Sequence, residues 1–203
     1  MPLLRSRRFV PVSLIAIGAL LLLYVGLQYG EMLHQQKVLA DRWEQEQQNP
    51  SQVHTKLASS DDDDALIRLV IPKIDLTSFI VEGTNHHDLL LGPGHMKHTA
   101  EPGELGNAVI SAHRDTFFRH IHELERGDQI YVDRAGKHFV YEVTGKKIVD
   151  PDDMEVTSPT KDSRLTLITC YPTYYIGPAP KRLVVSAKMV TDQEAQLQSA
   201  AAK

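Results

Sequence analysis

Hydrophobic positions run without a charge from Phe9 to Leu27, FVPVSLIAIGALLLLYVGL. At about 1.5 Å per residue, a helix of these nineteen residues just crosses a hydrocarbon core roughly 30 Å thick. Pro11 falls near its start, where a helix tolerates proline. The following stretch is polar but keeps one apolar stripe. Met32, Leu39 and Trp43, spaced 7 and 4 apart, share a helical face, and the stripe stops at the turn signal Asn49-Pro50. From Ala65 the pattern changes to short runs rich in Val, Ile, Phe and Tyr: ALIRLVIPKIDL, SFIVEG, GNAVISAH, DQIYVD, HFVYEV, RLTLITC and RLVVSAKMV. Gly, Pro, Asp and Asn clusters separate them, which predicts close-spaced strands and a barrel or sandwich. Two segments predict short helices instead: NHHDLLLG, with Asn85 as N-cap, and DTFFRHIHELE, with Asp115 as N-cap.

These patterns divide the chain into a basic flank and apolar helix over 1–28, a stalk and acidic linker over 29–64, a mostly β domain over 65–190 and a polar tail over 191–203. Arg5, Arg7 and Arg8 precede the apolar helix and favour a cytoplasmic N-terminus, with the β domain outside. The rival reading is a cleaved signal peptide, but the run is long for one and no A-x-A site follows. At 203 residues, 42% hydrophobic and 24% charged, the chain accommodates one core rather than two large domains. A formal charge of -4 indicates no basic face for nucleic acid. Asp61 to Asp64 are adjacent and lack an EF-hand glycine, so they read as a solvated linker and not a calcium loop.

A single cysteine, Cys170, excludes an internal disulfide framework and a multi-cysteine metal centre. It closes RLTLITCYP, where strand alternation puts Leu165, Leu167 and Thr169 on one face and Thr166, Ile168 and Cys170 on the other. A buried, inert thiol is common, but an unpaired thiol outside the cell is a liability unless it is used. A catalytic thiolate needs a base or cation nearby. Of ten histidines, His113 ends a strand whose Asn107, Val109, Ser111 and His113 share a face. His34, His54, His86, His87, His98, His120, His122 and His138 stand in polar contexts, and none shows zinc-ligand spacing; no metal or cofactor is expected. Arg182 opens the strand twelve residues beyond Cys170. If the two strands are antiparallel neighbours, it begins near the level where Cys170 ends.

AVISAHRD, LTLITCYP and GPAPKRLVV, in this order, resemble the sortase family, most closely its class D members; LLLGPGHMKHTAEPGELGNAVISAHRD resembles the family segment before the histidine. The resemblance covers roughly Leu66 to Val190. It departs at Lys97-His98, where Pro-Gly or similar is expected. It implies a single closed eight-stranded β-barrel with one or two short helices, preceded by the transmembrane helix and stalk. It maps a triad onto His113, Cys170 and Arg182. It further implies a cysteine transpeptidase: Cys170 attacks an LPxTG-type C-terminal sorting signal, His113 moves protons, and Arg182 holds substrate and oxyanion. The thioacyl enzyme then passes to an amine of the cell wall or another protein. Thr169 and Tyr171 are candidate substrate contacts, and the aromatic loop from Tyr171 to Ile176 a candidate wall against water. The partners implied are exported proteins bearing sorting signals, the amine acceptor and the bilayer.

Two alternatives stand beside this. One is another extracytoplasmic cysteine acyltransferase, although LITCYP lacks the SHGC motif of L,D-transpeptidases and papain-like enzymes place cysteine before histidine. The other is a membrane-tethered β-domain that binds a partner and leaves Cys170 inert.

Overall fold

The structure is a computed structural model that describes residues 3–48, 66–174 and 177–190. The Asn49-Pro50 turn, the aspartate run, the polar tail and the Tyr175-Ile176 part of the aromatic loop lie outside the described residues.

Eight strands form a closed barrel: β1 (Ile67–Ile71), β2 (Leu76–Glu82), β3 (Gly94–His95), β4 (Gly106–Ser111), β5 (Gln129–Arg134), β6 (Lys137–Val149), β7 (Ser163–Tyr171) and β8 (Lys181–Met189). Their order around the barrel is β1-β2-β3-β4-β7-β8-β6-β5. The β2–β3 and β4–β7 pairs are parallel and the rest antiparallel. Closure leaves no long unpaired edge. The alternation read from the sequence is what fills the interior: Leu69, Ile71, Ile110, Leu165, Leu167, Val185 and Ala187 pack with Ile130, Val132 and Tyr141 in one cluster. Each such fully buried Leu or Ile contributes about 2 kcal/mol over an exposed one.

A smaller cluster lies on the outer face of β4, β7 and β8. Val109, Ile168 and Val184 are buried there, with Met96, Val149 and Val156 packed against them. These residues alternate with interior ones along each strand, so the sheet buries both faces at this place. The cover comes partly from the segment between β6 and β7, which carries a 3-10 turn at Met154–Thr157.

Two strand features were not visible in the pattern. β3 has only two residues, and Gly94 brings it so close to β2 that a side chain there would strike the Gly83 carbonyl. β6 continues through the polar Thr144 to Val149, with a register shift between Val143 and Gly145. The helix predicted at Asn85 is present as α2 (His86–Leu91), capped by the Asn85 side chain. The helix predicted from Asp115 is not formed: residues 114–120 are turns and only Ile121–Glu123 is a 3-10 helix. Phe118, Ile121 and Leu124 are all fully buried. Their spacing of three fits tight 3-10 geometry better than the 3.6-residue period of an α-helix.

One continuous helix, α1 (Leu3–Gln48), contains both the apolar run and the stalk. It is long and apolar enough to cross a membrane, and its large side chains from Val10 to Leu27 are exposed. Beyond them Met32, Leu39 and Trp43 are half-buried, because this face of the stalk lies against the barrel.

Candidate active site

Strand register assembles the site. β7 and β8 are antiparallel, and Cys170 stands directly opposite Arg182. β4 and β7 are parallel, with Ser111 beside Ile168 as their last pair. The alignment is carried one residue further by Ala112, whose N–H donates to the Ile168 carbonyl at 3.2 Å. Another residue on, His113 comes level with Cys170. Alternation then puts His113, Cys170 and Arg182 in one row on the outer face. The next rows down are Ser111, Ile168 and Val184, then Val109, Thr166 and Ser186. The buried patch of Val109, Ile168 and Val184, interleaved with Ser111, Thr166 and Ser186, therefore lies below three polar side chains at the ends of three adjacent strands.

Cys170 is a free, half-buried thiol. His113 is also half-buried. Among the described residues no hydrogen bond holds the His113 imidazole; its ring contact is with His86, at 6.2 Å between centroids and 66° between planes. Arg182 turns one nitrogen back to its own loop, where Nη1 donates to the carbonyls of Lys181 at 3.0 Å and Ala179 at 3.3 Å. Its charge is permanent and its planar fork carries further donors, so it can serve an acyl oxyanion without a proton transfer of its own.

Thr169 and Tyr171 are not on this face. Thr169 is 2% exposed, and its hydroxyl donates to the Ala112 carbonyl at 2.7 Å. It thus clamps the residue before His113 to the residue before Cys170. Tyr171 packs against the interior cluster and lines a cavity of about 450 Å³ at the barrel mouth with Pro172, Tyr174, His122 and Leu183. That cavity lies on the opposite side of β7 from the Cys170 row.

Two further neighbours border the row. Arg114 reaches across to the loop after Cys170, donating from Nη1 to Pro172 O at 2.9 Å and from Nη2 to Gly177 O at 2.6 Å. The available signal was its position next to His113. His86 looked like any exposed helix-start histidine, and only the tertiary fold brings its ring to His113.

A separate cluster joins Glu82, His95 and Glu101, whose possible ligand atoms lie within 4.8 Å of one another. His95 is 2% exposed. Its Nδ1 lies 2.8 Å from Glu82 Oε2, and its Nε2 lies 3.0 Å from the Ala100 carbonyl. Arg134 Nε is 3.6 Å from Glu101, and Arg134 Nη1 donates to Glu104 at 3.3 Å. Burial raises the Glu101 carboxyl above its ordinary value, against the opposing charges of His95 and Arg134. A divalent cation would have to take Nδ1 of His95 from Glu82 and share Glu101 with an arginine. As it stands, the network ties the loop before β4 to β2, β3 and β5.

Comparison with known proteins gives a concordant picture. The Sortase domain family model matches residues 69–190. Sortase D of Bacillus subtilis is 47% identical over 124 residues, 61% of this chain and 63% of that protein. Sortase A of Listeria monocytogenes is 34% identical over 120 residues, 57% of this chain and 54% of its own length. The matches thus span less than two thirds of these curated relatives. Among solved structures, the Clostridium perfringens Sortase D5 transpeptidase superposes with a TM-score of 0.67 at 26% identity, covering 78% of this chain and 99% of that one. Sortase A from Corynebacterium diphtheriae gives 0.59 at 32% identity, covering 64% and 62%.

Proposed function

Since the chain belongs to the sortase family, we propose that it is a membrane-anchored cysteine transpeptidase whose nucleophile is Cys170. The observation that carries this reading is the row of His113, Cys170 and Arg182 on one face at the ends of three adjacent strands. The Cys170 thiolate attacks a backbone carbonyl of an LPxTG-like C-terminal sorting signal. His113 donates a proton to the departing amine, leaving an acyl thioester on Cys170. An amine at the cell envelope attacks that thioester, and His113 takes its proton. Two easier steps replace one difficult one. Arg182 offers N–H donors to the oxyanion in each tetrahedral intermediate. α1 crosses the membrane once, with Arg5, Arg7 and Arg8 on the cytoplasmic side and the barrel outside. The substrates are exported proteins bearing the signal.

The test is a peptide library of sorting signals incubated with the protein, with and without amine acceptors. Mass spectrometry should show an acyl adduct on the wild type and none on Cys170→Ala. Arg182→Lys should lose about a hundredfold in kcat, the typical cost of removing one oxyanion donor. His113→Ala should lose at least as much, and the double variant should fall short of the product because both serve one transition state. An adduct on Cys170→Ala would reassign the nucleophile. Near wild-type turnover in Arg182→Lys would withdraw the arginine's role.

A further inference from the structure

In the stalk half of α1, the Gln36 side chain makes four hydrogen bonds to β2 and α2. Gln36 Oε1 accepts from the Phe79 N–H at 2.8 Å and from the Ser78 hydroxyl at 2.9 Å. Gln36 Nε2 donates to the Phe79 carbonyl at 3.2 Å and to the Leu91 carbonyl at 2.9 Å. An amide that both accepts from and donates to the backbone of one residue takes the place of a neighbouring strand. β2 needs such a substitute at Phe79, since β3 pairs only with Val81 and Glu82. Unfilled, that backbone would hold buried, unpaired polar groups. Gly92 leaves the room: a β-carbon there would lie 2.7 Å from Gln36 Nε2 and 2.9 Å from the Phe79 carbonyl. Its φ of -176° is extended, so space and not conformation calls for glycine. Trp43, two turns along, completes the seat with its ring 6.2 Å from that of Phe79.

The fourth bond matters most for the site. Leu91 is the last residue of α2, and His86 is the first. This helix, about 9 Å long, is thus fastened to α1 at one end and touches His113 at the other. His113 has no hydrogen bond to orient its imidazole among the described residues, and its ring rests against His86. A general base is normally held by a third group. Here that hold is packing, and it runs back through α2 to Gln36.

We propose that Gln36 is a positioning residue: the docked stalk fixes α2, and α2 holds His86 at the ring of His113. The stalk is then part of the working site and not a tether alone. This rests on the catalytic role of His113 proposed above.

The experiment uses the full chain in detergent micelles, with histidine rings labelled for NMR and kinetics on one sorting-signal peptide. Gln36→Glu is isosteric but sets a carboxylate oxygen against the Phe79 and Leu91 carbonyls. We expect the His113 ring resonances to shift. We expect kcat to fall about tenfold with KM little changed, since a misplacement of about 1 Å costs up to a hundredfold. In a His86→Gln background the same change should add little further loss. Trp43→Ala loosens the same seat without a buried charge and serves if Gln36→Glu does not fold. Unmoved His113 resonances in both variants, or losses that multiply with His86→Gln, would overturn the proposal. Full turnover in His113→Gln would instead fault the assigned base, while the ring shifts would still report the coupling.

Discussion

At the scale of single residues, the departure from the family segment at Lys97-His98 has a physical meaning. The Thr99 N–H donates to the Met96 carbonyl at 3.1 Å, closing a four-residue turn, and His98 sits at φ 67°. A turn with positive φ only at its third position favours proline second and glycine third. The chain keeps that backbone with lysine and histidine instead. His98→Gly should therefore raise stability by about 1 kcal/mol, the cost of a left-handed non-glycine residue. A thermal melt that shows no gain would count against this. Glu101 yields a second test. Its carboxyl is raised by burial, so the folded state binds this proton more tightly than the unfolded chain. Stability is then lost as pH rises from the ordinary value of 4.5 toward neutrality. Glu101→Gln, which never ionises, should flatten that fall. Denaturation midpoints at both pH values read it, and an unchanged slope would refute it.

At the scale of elements, the site is made by strand ends and by the loops that tie them. Thr169 joins β7 to the residue after β4, and Arg114 joins the segment after β4 to the loop after β7. Both cross-ties act where regular pairing has stopped. Arg114→Ala should cost about 2 kcal/mol, as hydrogen bonds from a charged group do. It should also lower kcat/KM about tenfold by freeing the loop beside Cys170. Full activity with unchanged melting would show the loop to be held by other means. β6 makes the same point differently: its second half pairs with β8 from Gly145 to Val149, so Val149 stands beside Arg182. A polar strand of this kind is specified by its neighbour and not by alternation.

At the scale of the whole molecule, one helix links a bilayer-length apolar stretch to a barrel that carries the row of His113, Cys170 and Arg182 on its outer face. The exposed large side chains from Val10 to Leu27 find no partner within the described protein, which a lipid environment would supply. We expect the mature chain to retain this stretch and to stay with membranes through a carbonate wash. N-terminal sequencing that began after Gly30 would show cleavage instead. Because the stalk docks through Gln36 and Trp43, the barrel is expected to stand at a set height over the membrane.

Local pattern alone was enough for the apolar helix, for seven of the eight strands and for the residues that share a strand face with His113 and with Cys170. Periods of 2 and 3.6 are local properties, written in neighbouring residues. Motif order joined those three residues through the family resemblance. The remaining features have the opposite character. β3, the second half of β6, the turns after Arg114, the His86–His113 contact and the seat of Gln36 all depend on partners far along the chain. Gln36 and Phe79 are 43 residues apart, and Arg114 and Gly177 are 63 apart. A single glutamine or arginine carries no periodicity to announce such a bond. Its energy appears only once closure of the barrel has brought an unpaired carbonyl or N–H within reach.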